Sequence, residues 1–466
     1  MGFGFRFRTE LKTLVSPAST AMKKIRFAQS VIIFLAAFAV ISCGKSQATS
    51  VPDAQPETVA APPSDRPAVS ETIRFLEERV KRDPEDFIAN NKLAAEYLQR
   101  LRETGDITYL NLASRSANAS LGTLPAEQNK GGLIALIQVE FSSHDFASSR
   151  DHALRLLELE PNKGYPYQFL GDSLLELGQY TEAETAFRNM EKFGGIQKMT
   201  QVAMEQRLAR LALLHGDNSG ATRHFSAALK IASTIVEPPR ETVAWCQWQL
   251  GETAFAGGDY KSAEKYYGDS LVTFPDYFRS LASLGRVRAA QGDTPGAIEQ
   301  YEKVVSILPD PNFVAALGDL YKIAGRGDQA DNQYALVEQI GHLSALSGTL
   351  YNRQLALFYA DHDIKPDDAY ANAAKEYEQR KDIYGADALA WTALKAGKLA
   401  EAKSAINDAL KLGTKDAKLY YHAGMIQNAL GDRNEARRFL ELSLKTCPSF
   451  DPLQAGIAKK TLEALK

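Results

Sequence analysis

A metal centre or nucleophile in this chain would have to be built from seven histidines, three cysteines and many carboxylates. The histidines are His144, His152, His215, His224, His342, His362 and His422. A helix-borne metal site needs ligands one turn apart, as in H-E-x-x-H, and that pattern is absent. His144 and His152 are the closest pair, eight residues apart, and are expected on different helices of one unit. G-x-S-x-G and paired C-x-x-C are also absent. Gly44-Lys45-Ser46 has the ending of a phosphate-binding loop, but not its upstream glycine, strand and helix. Cys246 and Cys447 lie 201 residues apart, and a disulfide needs Cα atoms within about 7 Å. An extended array would hold them apart, so two buried or half-buried thiols are expected. Carboxylates at helical spacing read as solvated faces. No catalytic residue, metal or cofactor is expected.

The N-terminus offers a different chemistry. From Met22 the chain reads MKKIRFAQSVIIFLAAFAVISCGKS. Lys23, Lys24 and Arg26 precede an unbroken apolar run of eleven residues, Val31 to Ile41. A membrane span takes about 20 residues, so the run fits the core of a secretory signal peptide. Val40-Ile41-Ser42-Cys43 resembles the lipobox of bacterial lipoproteins. The resemblance implies cleavage before Cys43, a diacylglyceryl group on its thiol and a lipid anchor in the cell envelope. Gly44 rather than Asp follows, which in enterobacteria implies the outer membrane, with the body facing the periplasm. The alternative is an ordinary signal peptide with a coincidental Cys. Residues 1–21, with Glu10 and Pro17, precede a self-sufficient signal, so Met22 is the expected start of a signal segment within residues 1–42. Residues 43–70 hold Pro52, Pro56, Pro62, Pro63 and Pro67 among small and polar residues. Such a stretch cannot bury a core; extended at ~3.1 Å per residue it reaches on the order of 80 Å.

Net charge is −3. Removing residues 1–42 leaves 48 basic against 56 acidic residues, a net of −8. That balance argues against nucleic acid as a partner.

From residue 71 to 466 the sequence repeats itself. A Gly is followed by a second Gly seven residues on and an Ala five beyond that: Gly171/Gly178/Ala183, Gly251/Gly258/Ala263, Gly285/Gly292/Ala297, Gly318/Gly325/Ala330 and Gly424/Gly431/Ala436. Phe187, Tyr267, Tyr301 and Tyr334 stand four after the Ala, and Pro161, Pro275, Pro309 and Pro448 close units. The pattern resembles the tetratricopeptide repeat, W-x₂-L-G-x₂-Y…A-x₃-F…P. Small markers fall at Ala113, Ser149, Ala183, Ala221, Ala263, Ala297, Ala330, Ala369, Ala402 and Ala436, and five of the nine intervals are 33 or 34. The resemblance implies an all-α, right-handed superhelical solenoid of about ten helix pairs, with a capping helix after Asp451. Residues Val236 to Arg240 form an insertion between units. One pair cannot bury its apolar face alone, so neighbours must stack.

In this family the first helices line the concave face. Carried over by register, the groove near the middle of the chain presents Trp245, Trp248, Glu252 and Phe255 from one unit and Arg279, Ala282, Arg286 and Ala289 from the next. Tyr165, Gln168, Asp172 and Leu175, and Asn312, Ala315, Asp319 and Lys322, hold the same places elsewhere. Aromatic and Arg residues together compose a binding hot spot, although the two Trp could equally fill space beside the insertion. Asp172, Glu252, Arg286 and Asp319 replace the Lys and Asn set with which some family members clamp a C-terminal carboxylate. The expected role is a scaffold binding other envelope proteins or peptides. The alternative is an envelope factor that binds glycan or regulates cell-wall hydrolases, or a weak hydrolase.

Overall fold

The computed structural model describes residues 70–347 and 352–465. The signal segment, Cys43 and the tether up to residue 69 lie outside the described residues, as does Lys466. The described residues form 22 helices and no strand. Helix α1 (Glu71–Arg82) leads into ten helical hairpins. These are α2 (Phe87–Thr104) with α3 (Thr108–Thr123), α4 (Lys130–Ser142) with α5 (Phe146–Leu159), α6 (Gly164–Glu176) with α7 (Tyr180–Phe193), α8 (Lys198–Leu214) with α9 (Asn218–Ser233), and α10 (Arg240–Ala256) with α11 (Tyr260–Thr273). There follow α12 (Phe278–Ala290) with α13 (Thr294–Ile307), α14 (Pro311–Ile323) with α15 (Gly327–Ser347), α16 (Asn352–Asp361) with α17 (Pro366–Gln379), α18 (Ile383–Lys395) with α19 (Leu399–Leu410), and α20 (Ala417–Ala429) with α21 (Arg433–Thr446). Helix α22 (Gln454–Ala464) comes last.

Each of the ten small markers falls in a second helix, and none is more than 2% exposed. The reason is steric. At Gly171, Gly251, Gly285 and Gly318 the ring of Phe187, Tyr267, Tyr301 or Tyr334 lies where a Cβ would stand, and at Gly424 Leu440 takes that place. Small residue and ring are two halves of one contact between paired helices. Hairpin turns such as Gly292 adopt a left-handed backbone (φ 85°) that stops the first helix. The next residue then caps the second: Asp293 accepts from Gly296 N–H at 3.0 Å, and Asp259 from Ser262 N–H at 3.1 Å.

Stacking alone would give an open array. Instead the chain winds back on itself. Each of four hairpin turns in the first half meets the connector that follows the fifth hairpin further on. Leu308 covers Gly105, the Lys381 carbonyl covers Gly178, the Gly413 carbonyl covers Gly216, and Pro448 covers Gly258. Hydrogen bonds close this seam. Ile383 N–H donates to Tyr180 Oη at 2.8 Å, Thr414 Oγ1 to the Leu214 carbonyl at 2.5 Å, and Ser449 N–H to Tyr260 Oη at 2.9 Å. The described chain is thus a superhelix of two coils, one resting on the other. The winding brings Cys447 to the helix that carries Cys246, but nine residues along it, about 13 Å, and so outside disulfide reach as expected. Cys447 donates to the carbonyl of Phe255, on the same helix as Cys246. Both thiols are buried and unpaired.

Helix α22 buries Ala455, Ala458 and Leu465 and exposes Lys459, Lys460 and Glu463. No described helix is long and apolar enough to cross a membrane.

Candidate functional site

Acids on first helices pair with bases of the next hairpin. Asp172 on α6 accepts from Arg207 on α8 at 2.5 Å. Glu252 on α10 accepts from Arg286 on α12 at 2.6 and 2.7 Å. Asp319 on α14 lies 2.8 Å from His362 Nε2, just past α16. Asp387 on α18 lies 2.8 Å from His422 Nδ1 on α20. These ties brace the angle between successive hairpins, so this charge serves the superhelix first.

The six residues assigned to the groove form one connected network. Trp248 Nε1 donates to Ser283 Oγ at 2.9 Å, and Ser283 Oγ donates to Glu252 Oε1 at 2.7 Å. Tyr267 Oη also donates to Glu252, at 2.7 Å. Arg279 stands over the Trp248 ring at 5.4 Å, and Arg286 over the Phe255 ring at 4.1 Å. Trp245 and Trp248 face each other with ring centroids 6.4 Å apart. Burial opposes the charge of Glu252, but Arg286 outweighs it and holds the carboxyl below its ordinary range. Phe255 is buried and the other five are half-buried. Arg286 Nη2 is therefore occupied by Glu252.

Two cavities open into the lumen. One, of about 360 Å³, has Trp245 and Gln249 on its wall with Gln206 and Arg210 of α8, Tyr180, and Tyr384 from the second coil. The other, of about 300 Å³, brings Arg286, Ala289, Asn312, Ala315 and Asp319 together with Lys418 and Asp451. Five groove positions read from register thus share one cavity wall.

No residue spacing points to the seam side of the first cavity. Glu176, 7% exposed at its side chain, ion-pairs with Arg210 and with Arg380, 204 residues on. Burial alone would raise its pKa, yet the two guanidiniums together hold it at about 2. Arg353 pairs in turn with Glu376 and Asp382, both at 2.7 Å. No spacing rule reaches across that distance. The Glu252–Arg286 tie did leave a trace: both residues follow an anchor glycine, one repeat apart, with opposite charge.

His144 sits in the turn between α4 and α5 (φ 64°) rather than on a helix, and His152 Nδ1 lies 2.9 Å from Glu140. Among the described residues no three His, Cys, Asp or Glu are placed to hold a metal ion.

Fold and lumen together define a superhelical repeat protein. Within it, residues 249–310 and 388–449 match the tetratricopeptide repeat family, so the chain carries tetratricopeptide repeats. No curated protein sequence matches the chain. Similar solved structures include a tetratricopeptide repeat protein from Parabacteroides merdae, 16% identical over 57% of this chain and 98% of that one, with a TM-score of 0.32. PilW, a widely conserved type IV pilus biogenesis factor, is 17% identical over 44% and 90%, with a TM-score of 0.36. The Cut9–Hcn1 hetero-tetramer of APC/C is 13% identical over 84% and 92%, with a TM-score of 0.32.

Proposed function

We propose that this protein is a lipid-anchored scaffold of the bacterial cell envelope. It faces the periplasm, most naturally from the outer membrane, and holds a segment of another envelope protein in its lumen. The lipid anchor rests on Val40-Ile41-Ser42-Cys43 after an eleven-residue apolar run. The binding role rests on one observation: first helices of successive hairpins share a lumen whose larger cavity has Trp245 on its wall beside Gln206 and Gln249. An aromatic face flanked by amides suits a peptide, with apolar contact from the ring and hydrogen bonds from the amides. Trp248 packs on Trp245 and links it through Ser283 to Glu252, Arg279 stands over Trp248, and Arg286, over Phe255, lines the second cavity. No catalytic centre forms part of this reading.

Two measurements test it. Mass spectrometry of protein purified from bacterial membranes should find acyl groups on Cys43, and Cys43→Ala should move the protein to the soluble fraction. A photo-crosslinking residue at Gln249 should capture one envelope protein, and Trp245→Ala should strongly weaken that capture while lowering the melting temperature less than Trp248→Ala does. The same capture from position 300, on a second helix, or capture undiminished by Trp245→Ala, would overturn the lumen assignment.

A further inference from the structure

The hairpin series is flanked by two half-hairpins. Pro84 precedes α2 by the same three residues as Pro275 precedes α12, which marks α1 as the closing helix of a unit. Twelve residues back, as Ala263 is from Pro275, stands Thr72. The ten markers in complete hairpins are at most 2% exposed, but Thr72 is exposed. Three residues after the marker, Gln300 and Gln333 pack their Cβ against the anchor glycines of their paired first helices. Phe75 occupies that place in α1 and is 57% exposed. No first helix pairs with α1 among the described residues.

Helix α22 is the converse. Ala458 stands 34 residues after Gly424, in the anchor place of a first helix. Ile457 then occupies the place of Leu250 and Leu317, which are 3% and 2% exposed in their hairpins. Without a second helix over it, Ile457 is 43% exposed.

We propose that α22 of one copy and α1 of another complete one hairpin, joining molecules head to tail and continuing the superhelix. The contact is heterologous, and because it continues the superhelical rise it extends rather than closes. The seam carries an independent sign of it. In the first coil the turns at Gly105, Gly178, Gly216 and Gly258 are covered by second-coil connectors. In the second coil Gly292, Gly325, Gly397 and Gly431 hold the same left-handed backbone, with nothing within 4 Å of where a Cβ would stand. The opposite edge is also bare. Ile196, Val236 and Val272, 91%, 98% and 83% exposed, stand on three successive first-coil connectors or their margins. Lys198 Nζ, bonded to the Thr234 carbonyl at 2.7 Å, and Arg240, bonded to that of Thr273 at 2.9 Å, tie these connectors into a row. If the inter-copy hairpin counts as one unit, the seam's five-hairpin offset sets Ile196 over Gly397 and Val236 over Gly431. The second copy thus finds both a half-hairpin to complete and an edge of the kind its own seam already uses.

The test uses the full-length chain carrying Cys43→Ser, so that the native thiols left are buried. Phe75→Cys and Ile457→Cys proteins, mixed and oxidised, should give a mixed disulfide dimer, and the doubly substituted chain a ladder. Sedimentation should show concentration-dependent association, displaced at least tenfold to higher concentration by Phe75→Asp or Ile457→Asp with the melting temperature unchanged. A monomer at every concentration with no mixed disulfide would overturn the proposal. So would symmetric dimers, or association indifferent to both Asp variants. An Ile457→Asp protein that melts early without any change in association would show α22 to be a solvating cap only, which also overturns it.

Discussion

Arg286 reaches from α12 to Glu252 on α10 with one nitrogen within 2.7 Å of both carboxylate oxygens. Both side chains are only partly buried, so the tie stands between the weak surface pair and the costly interior one. Arg286→Met should strand the acid and lower stability by about 1–3 kcal/mol in urea denaturation. Adding Glu252→Gln should restore part of that loss, because the amide oxygen still accepts from Tyr267 and Ser283 while the unpaired charge is gone. A double variant no more stable than Arg286→Met would show that the two residues act separately.

Trp245 and Trp248 are neighbours with different duties. Trp248 is bonded to Ser283 and covered by Arg279, whereas Trp245 lines the larger cavity. Trp248→Ala should therefore cost about 3 kcal/mol or more of stability. Trp245→Ala should cost less, and instead weaken partner affinity by about 2 kcal/mol, roughly thirtyfold. Melting curves and affinities measured on the same two preparations separate the roles; equal loss of affinity in both would refute the division.

Gly178 and Gly397 share a backbone conformation, φ 76° and 72°, but only Gly178 touches the seam. An Ala at either position is strained by about 1–2 kcal/mol. At Gly178 its Cβ must also push away the Lys381 carbonyl, adding roughly 1–3 kcal/mol. Thermal unfolding should rank Gly178→Ala clearly below Gly397→Ala. Identical melting temperatures would mean that the coils do not rest on each other there.

Glu176 makes the seam acid-sensitive. Its carboxyl is held at about 2 against an ordinary 4.5, so it is charged in the folded chain where it would be protonated in the unfolded one. A depressed acid stabilises fully above the unfolded value and loses that contribution as pH falls from 4.5 toward 2. The difference in unfolding free energy between the natural chain and Glu176→Gln should be about 3 kcal/mol at neutral pH and shrink through that window. A difference that does not vary between pH 6 and pH 2.5 would remove Glu176 from this role.

How much could be read from residues alone follows from distance along the chain. Ala297 is fully buried where the 33–34 residue spacing put it, so Ala297→Glu should destabilise by about 2–4 kcal/mol, while Gln300→Glu, which keeps the Cβ against Gly285 and a partly exposed end, should cost much less. Helix pairing, turn glycines and caps were legible because each is settled within one or two repeats. Asn312, Ala315 and Asp319, which register puts on one face of their helix, share one cavity wall. Their partners were not legible: nothing in the residues near Asp319 announces His362, 43 positions later. The seam was wholly hidden. Tyr180 and Ile383 meet because small rotations between hairpins add up to a full turn, and no single spacing records that sum.

That seam changes what evolution can do with the chain. An ordinary solenoid is a string of nearest neighbours, and a whole repeat can be gained or lost with only local repair. Here a 34-residue unit inserted between Gly258 and Leu308 would move every second-coil connector one hairpin out of step. Arg380 would leave Glu176, and Pro448 would leave Gly258. The number of repeats between the coils is therefore quantised by geometry, while units added beyond α22 would be free of that constraint.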